Sequence, residues 1–126
     1  MFPNVETLLV AFLSGRAELA GIPVVVRLPA GYDGTSPTVV VTRVGGEFSV
    51  DDNLDRALVR VDTYGSDKTH ALDLTGIVRA LVWLMAGTQP PVTDVSETRG
   101  PNWLRDPAFA NANRYTTRYL LHVHVR

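Results

Sequence analysis

Apolar residues recur at intervals of three and four in two parts of the chain, and this spacing predicts two helices that each bury one face. The first begins after Asn4, a residue type suited to capping a helix N-terminus. It ends at Gly15 or continues to Gly21, because an isolated glycine is tolerated inside a helix. The stripe of this helix consists of Val5, Leu8, Leu9, Phe12 and Leu13.

The second helix is expected to begin at Ser66 or Asp67 and to stop at Gly87, shortly before Pro90 and Pro91. A helix of about 20 residues is about 30 Å long, which is enough to cross one face of a sheet. Its core-facing stripe consists of Leu74, Ile77, Val78, Leu81, Val82 and Met85.

Other segments are rich in β-branched residues or alternate between apolar and polar residues, which is typical of strands. Their ranges are 24–28, 38–44, 57–64, 92–99 and 114–126. Pro23 and Pro29 place the first strand at a sheet edge, and Gly45-Gly46 is expected to end the second. The order of helix, three strands, helix and two strands predicts an α+β fold. In this fold two helices pack on a mainly antiparallel sheet of about four to five strands.

The segment 47–55 is acidic and is expected to form an exposed hairpin loop whose charges are uncompensated locally. The C-terminal part is basic instead, with five Arg and one Asp between Arg99 and Arg126. A head-to-tail contact between identical subunits could pair two such segments, and contacts of this kind close into rings when the rotation allows it. The alternative is a solvated surface on which the separation of charge has no role. The acids of the segment are Glu47, Asp51, Asp52 and Asp55.

The segment 100–113 shows no periodicity, and a long loop without secondary structure usually carries a function or is held by a partner. Trp and Arg, which occur together here, are enriched in interface hot spots. The alternative is a loop that folds its own aromatic side chains back onto the core. The interface residues expected from this part of the chain are Trp103, Arg105, Phe109 and Arg114.

Composition narrows the class of protein. The 126 residues, 45% of them hydrophobic and 20% charged, fit one domain spanning residues 1–126. Cysteine is absent, so disulfides and cysteine-bound metals are excluded. The net charge of -1 argues against a surface that as a whole binds nucleic acid. Neither a signal peptide nor an apolar run of about 20 residues occurs, so no membrane association is expected.

The common catalytic and phosphate-binding motifs are absent, and we expect neither enzymatic activity nor a cofactor. Asp51 and Asp52 are adjacent in sequence, and adjacent side chains on an extended chain diverge, which disfavours a catalytic pair. His122 and His124 share one side of a strand and are the best candidates for metal ligands. A third ligand at comparable spacing is missing, so two solvated imidazoles without a metal are the favoured interpretation.

Short sequence motifs along the chain, together with this order of helices and strands, resemble those of the tail terminator family of long-tailed bacteriophages. The resemblance covers nearly the full length. The motifs are residues 1–6 (MFPNVE), 42–46 (TRVGG), 60–65 (RVDTYG), 97–104 (ETRGPNWL), 114–115 (RY) and 119–121 (YLL).

The resemblance implies a non-enzymatic virion protein of a siphovirus tail, assembled in the host cytoplasm and located at the head–tail junction. A homo-hexameric ring would cap the head-proximal end of the tail tube, end its polymerisation and provide the docking surface for the head connector. Its partners would be itself, the major tail tube protein and the head completion or connector protein. Genomic DNA would pass through the ring lumen without specific recognition.

Two other functions remain open from the sequence. One is a head–tail joining adaptor at the connector. The less favoured one is a small metal-dependent enzyme that uses His122 and His124. The family offers no catalytic residues to transfer, so the interface residues named above rest on loops and charge alone.

Overall fold

The structure is a computed structural model and describes residues 4–49, 53–88, 90–104, 106–109 and 112–124. Two helices and five strands follow one another in the predicted order. Short 3₁₀ turns follow each helix, at Ala17–Leu19 and Trp83–Met85. The helices and strands are α1 (Val5–Ser14), β1 (Val24–Val25), β2 (Thr38–Ser49), β3 (Leu54–Gly65), α2 (Lys68–Val82), β4 (Val92–Trp103) and β5 (Asn113–His124).

Both helices begin at a side-chain cap. Asn4 Oδ1 accepts hydrogen bonds from the N–H groups of Glu6 and Thr7 at 3.0 and 3.2 Å. Asp67, one of the two predicted candidates, accepts from the His70 N–H at 2.8 Å. α1 ends before Gly15, so of the two predicted ends the earlier one is correct. None of the described helices is long and apolar enough to cross a membrane.

The five strands form one sheet in the order β1-β2-β3-β5-β4. β1 runs parallel to β2, and the other neighbours are antiparallel. The predicted α+β fold is therefore confirmed, with β1 at the edge as the flanking prolines indicated. β1 pairs with Val39 and Val40, and within the described part of the chain no strand pairs with the outer edge of β2 beyond them.

Several predicted strand ends are wrong. β1 ends at Val25 and not at residue 28, and β3 begins at Leu54 and not at residue 57. β2 does not stop at Gly45-Gly46 but continues to Ser49, with a shift of register between Arg43 and Gly45. Gly46 has a φ of 112°, so the glycines allow an irregularity in the strand where they were expected to end it. β4 continues through Gly100 to Trp103, because its pairing with β5 resumes after further register shifts.

The two helices cover the same face of the sheet, which we call the helix face. Alternate residues of β3, such as Ala57, Val59 and Val61, are buried there against both helices. The predicted helical stripes supply the other side of this core, and Ile77 alone among the residues predicted for α2 is only partly buried. The face opposite the helices carries the intervening residues of each strand, and we call it the open face.

Candidate interaction surfaces

Among the four acids of the predicted loop, Asp55 has a different place from the one expected. It lies in β3, its side chain is 6% exposed, and Arg43 Nη1 and Nη2 donate to its two oxygens at 2.6 and 2.7 Å. The prediction that its charge is exposed and uncompensated is wrong, because the hairpin pairs Asp55 with a residue of the neighbouring strand. Asp51 and Asp52 lie outside the described residues.

Glu47 is exposed, but it lies in β2 and not in a loop. It pairs in register with Arg56 of β3, and no described residue forms a salt bridge or side-chain hydrogen bond with its carboxylate. Glu47 belongs to the part of β2 whose outer side pairs with no strand of the described residues. We call residues 44–49 the β2 arm.

A carboxylate of α1 stabilises the irregular backbone at the start of this arm. Glu6 Oε2 accepts a hydrogen bond from the Arg43 N–H at 2.8 Å. The Arg43 side chain also donates from Nε to the Gly45 carbonyl at 3.1 Å. The Arg43 N–H and the Gly45 carbonyl thus have hydrogen-bond partners although β1 does not reach them.

Trp103 was predicted in a loop but lies at the end of β4, and the loop between the last two strands begins at Leu104. The Trp103 side chain is 37% exposed, and the ammonium group of Lys68 lies 5.2 Å from its ring centroid. Arg105 lies outside the described residues. Trp103 therefore remains available at the surface next to the N-terminus of α2.

Phe109 is only partly exposed, since it packs onto the open face. Its ring meets Tyr32 edge-on at 5.3 Å between centroids, and Tyr32 meets Tyr64 of β3 at 5.6 Å. Val40 and Ala112 are buried in the same apolar cluster, and Val25 and Leu28 pack against it. For Phe109 the alternative interpretation of the sequence is therefore correct: the loop folds its aromatic ring back onto the sheet.

Asp106 holds this loop to the strands beneath it. Its Oδ2 accepts from Tyr64 Oη at 2.7 Å, and its Oδ1 accepts from the Ala108 N–H at 2.9 Å. Arg114 Nη1 lies 4.0 Å from the same carboxylate. Burial acts to raise the pKa of Asp106, but the two hydrogen bonds and Arg114 outweigh it and lower that pKa. Burial and the bond to Asp106 raise the pKa of Tyr64 well above its ordinary value.

The loop that carries Tyr32 before β2 and the loop that carries Phe109 between β4 and β5 cover only one end of the open face. Beyond the covered part, near the middle of the strands, Leu58 of β3 and Leu120 of β5 are opposite each other, are partly exposed, and belong to neither apolar cluster. In the next row, Arg118 of β5 lies between Arg60 of β3 and Arg99 of β4. We call these five residues the bare half-face.

The bare half-face was not among the predicted sites. The alternation of β3 indicated that Leu58 and Arg60 share a side, but sequence alone does not pair them with residues 118–120. Only the position of β5 between β3 and β4 brings three arginines into one row. Arg60 donates from Nε to Asp62 at 3.2 Å, whereas no described residue forms a salt bridge or side-chain hydrogen bond with the Arg99 or Arg118 guanidinium.

His122 and His124 lie on one side of β5, as predicted, with His122 partly exposed and His124 exposed. Asp94 Oδ2 is 4.0 Å from His122 Nδ1. Within the described parts of the chain, no three His, Asp or Glu side chains are grouped closely enough to hold a metal ion.

The chain is similar to a known protein family and to a solved structure. A family profile described as "Phage tail termination protein" matches residues 1–107. None of the curated protein sequences compared with the chain matches it. Among solved structures, the chain is similar to a chain of "Virion of native gene transfer agent (GTA) particle", with a TM-score of 0.63 and 14% identity. The match covers 96% of this chain and 95% of that chain, which shows a shared fold.

Proposed function

The chain belongs to the family of phage tail termination proteins and is a structural protein of a phage tail, and on this premise we propose that it is the ring that ends the tail tube. Six copies form a closed ring on the head-proximal end of the tube. The ring stops addition of the major tail tube protein and offers its other side to the head completion or connector protein. Genomic DNA passes through the lumen without specific recognition. The observation that carries this proposal is the family match over residues 1–107.

The surfaces of the subunit suit a structural component. The described residues include no metal-binding group of three ligands, and the polar cluster around Asp106 and Tyr64 stabilises a loop. We therefore propose a protein without enzymatic activity or cofactor, assembled in the host cytoplasm and retained in the virion at the head–tail junction.

Two regions are proposed as contact sites for neighbours, tube and connector. The acidic region comprises the exposed Glu47 and, next to it in sequence, Asp51 and Asp52. Asp55 supports this region through Arg43 and does not present its own carboxylate. The second region comprises the exposed Trp103 and Arg105, which follows it closely in sequence. Phe109 and Arg114 position the loop of this second region.

The decisive test is deletion of the gene in the phage or particle-producing strain, followed by electron microscopy of the tails. Overlong tails without heads support the ring at the tube end. Tails of normal length that lack heads would instead indicate a joining adaptor at the connector. Normal, filled particles would exclude both functions.

A second test addresses the acidic region. Asp51→Lys together with Asp52→Lys is expected to lower ring formation or tail joining in a complementation assay, because the pair would repel basic partners. Asp73→Lys, an exposed acid on α2, is the matched control for a change of surface charge. If the double variant complements as well as the control, the acidic region is not a contact site.

A further inference from the structure

We propose that the bare half-face is the seat for the β2 arm of the next subunit, with Glu47 of one copy placed against Arg118 and Arg99 of its neighbour. This inference rests on the proposed ring and names the surface that closes it. It assigns a partner to Arg99 and Arg118, whose guanidinium groups form no salt bridge or side-chain hydrogen bond with a described residue.

The row of arginines destabilises the isolated subunit. Arg118 lies opposite Arg60 on one side and opposite Arg99 on the other, and like charges directly opposite on neighbouring strands destabilise a sheet. Asp62 offsets only Arg60, through a hydrogen bond of 3.2 Å. A carboxylate from outside the subunit would remove the remaining repulsion.

At the other end of the same face, a loop of the protein covers the sheet. This loop packs Phe109 over the apolar positions and brings Asp106 within 4.0 Å of Arg114. Arg118 follows Arg114 by four residues along β5 and therefore lies on the same face. The bare half-face repeats the arrangement, with arginines beside apolar positions, but no described residue outside the sheet is seen to cover it.

The leucine pair of the bare half-face favours protein over nucleic acid as the occupant. Leu58 and Leu120 lie in the row next to the arginines and are only partly buried. Phosphate groups would pair with the arginines but would leave the leucine pair in water, whereas a polypeptide can cover both.

The positions of the charged residues in the sheet favour a second copy of this chain. Glu47 lies on β2 towards one edge of the sheet, whereas Arg99 lies on β4 at the other edge and Arg118 on β5 next to it. Among the described residues, no strand pairs with the outer edge of the β2 arm. Subunits placed side by side can therefore bring Glu47 of one copy next to Arg99 and Arg118 of another, and a contact between different surfaces of identical copies can close into a ring.

A charge swap tests the seat. Arg118→Glu and Glu47→Arg are each expected to weaken self-association by about tenfold or more, and to reduce complementation of a strain lacking the gene, because each creates a like-charge contact between neighbours. Glu47→Arg also lies opposite Arg56 of its own subunit, so its melting temperature is measured alongside to separate loss of stability from loss of assembly. The variant with both changes is expected to restore complementation, because the pair is restored with its charges exchanged. Self-association is measured by sedimentation velocity over a range of concentrations, and tail length by electron microscopy.

The change in melting temperature of the isolated subunit distinguishes a folding defect from an assembly defect. Arg118→Glu places a carboxylate between Arg60 and Arg99, so the isolated variant is expected to melt at the same temperature as the original protein or higher. Loss of assembly without loss of thermal stability would support a contact between subunits. A lower melting temperature would assign Arg118 to the stability of the subunit and overturn the proposal.

A disulfide trap provides an independent measurement, because the chain contains no cysteine of its own. Glu47→Cys combined with Leu120→Cys is expected to give a ladder of linked subunits when purified tails are oxidised. β3 separates the two positions within one subunit, and two strand spacings of about 4.8 Å each exceed the reach of a disulfide. Leu72→Cys on the exposed surface of α2 replaces Leu120→Cys in the control.

The experiments test the proposed contact between subunits separately from the proposed ring. Full complementation by Arg118→Glu, or no rescue by the double variant, would overturn the seat even where deletion of the gene gives overlong tails. If Arg118→Glu instead weakens binding of a short DNA duplex in fluorescence anisotropy and the charge swap gives no rescue, the occupant is DNA and the proposal fails. Normal tails after deletion of the gene would overturn the ring itself.

Discussion

Arg43 of β2 donates two parallel hydrogen bonds to Asp55 of β3, at 2.6 and 2.7 Å, and so ties the two strands of the hairpin together beyond their backbone pairing. The carboxylate is almost buried, with 6% of the side chain exposed, whereas the Arg43 side chain is 35% exposed. The pair stabilises the fold within one subunit.

Asp55→Ala is expected to lower the free energy of unfolding by about 1–2 kcal/mol, because a bidentate charged hydrogen bond is lost while water can still solvate the exposed part of Arg43. Urea denaturation followed by circular dichroism measures the change. Glu47→Ala, at an exposed carboxylate, is the control and should stay within about 0.5 kcal/mol. Equal stability of the two variants would show that the pair contributes nothing.

Asp106 is expected to make the stability of the protein depend on pH. Its pKa in the folded protein lies below the ordinary value of 3.8, so its contribution is complete above that value and is lost as the pH falls through the folded pKa. Asp106→Asn is therefore expected to be less stable than the original protein at pH 7, with the difference shrinking below about pH 4. Thermal melts at several pH values measure it, and a difference independent of pH would contradict this role.

Two glycines are expected to respond to alanine in opposite directions. At Gly46 the φ of 112° and the close Arg56 carbonyl leave no room for a Cβ, so Gly46→Ala should cost about 2 kcal/mol or more. At Gly76 in α2 an added Cβ meets open space, so Gly76→Ala should stabilise by up to about 1 kcal/mol. Chemical denaturation of both variants gives the comparison. A neutral Gly46→Ala would mean that β2 can pass this point without the irregularity.

The two histidines allow a direct test of the alternative function. His122→Ala combined with His124→Ala is expected to leave tail length and head attachment unchanged, because no third metal ligand accompanies them among the described residues. Elemental analysis of protein purified without chelators should find no stoichiometric transition metal. A stoichiometric metal that disappears in the double variant would favour the metal-dependent enzyme.

Helical spacing was sufficient to predict both helices, because residues such as Leu9 and Val78 repeat at the period that a buried helix face requires. The alternation around Val59 and Val61 likewise identified β3. In each case a local pattern is enough, since one side of the element is buried along most of its length.

The candidate surfaces depended more on contacts distant in sequence. Asp55 was expected to be exposed because its partner, Arg43, lies twelve residues earlier and meets it only after the hairpin forms. Phe109 was left between two interpretations because Tyr32, the ring that it packs on, lies in a distant loop. The row containing Arg60, Arg99 and Arg118 was missed because the order of strands in the sheet differs from their order in the chain.

The position of β5 between β3 and β4 determines when the sheet can be completed during synthesis. β4 precedes β5 in the chain, yet it joins the sheet through β5, which is inserted between β3 and β4. A chain still being synthesised can form the β2–β3 hairpin, but β4 has no strand to pair with until residues 113–124 have left the ribosome. The three arginines align only at that moment. Incomplete chains that lack β5 would therefore lack the aligned arginines through which we propose that subunits join.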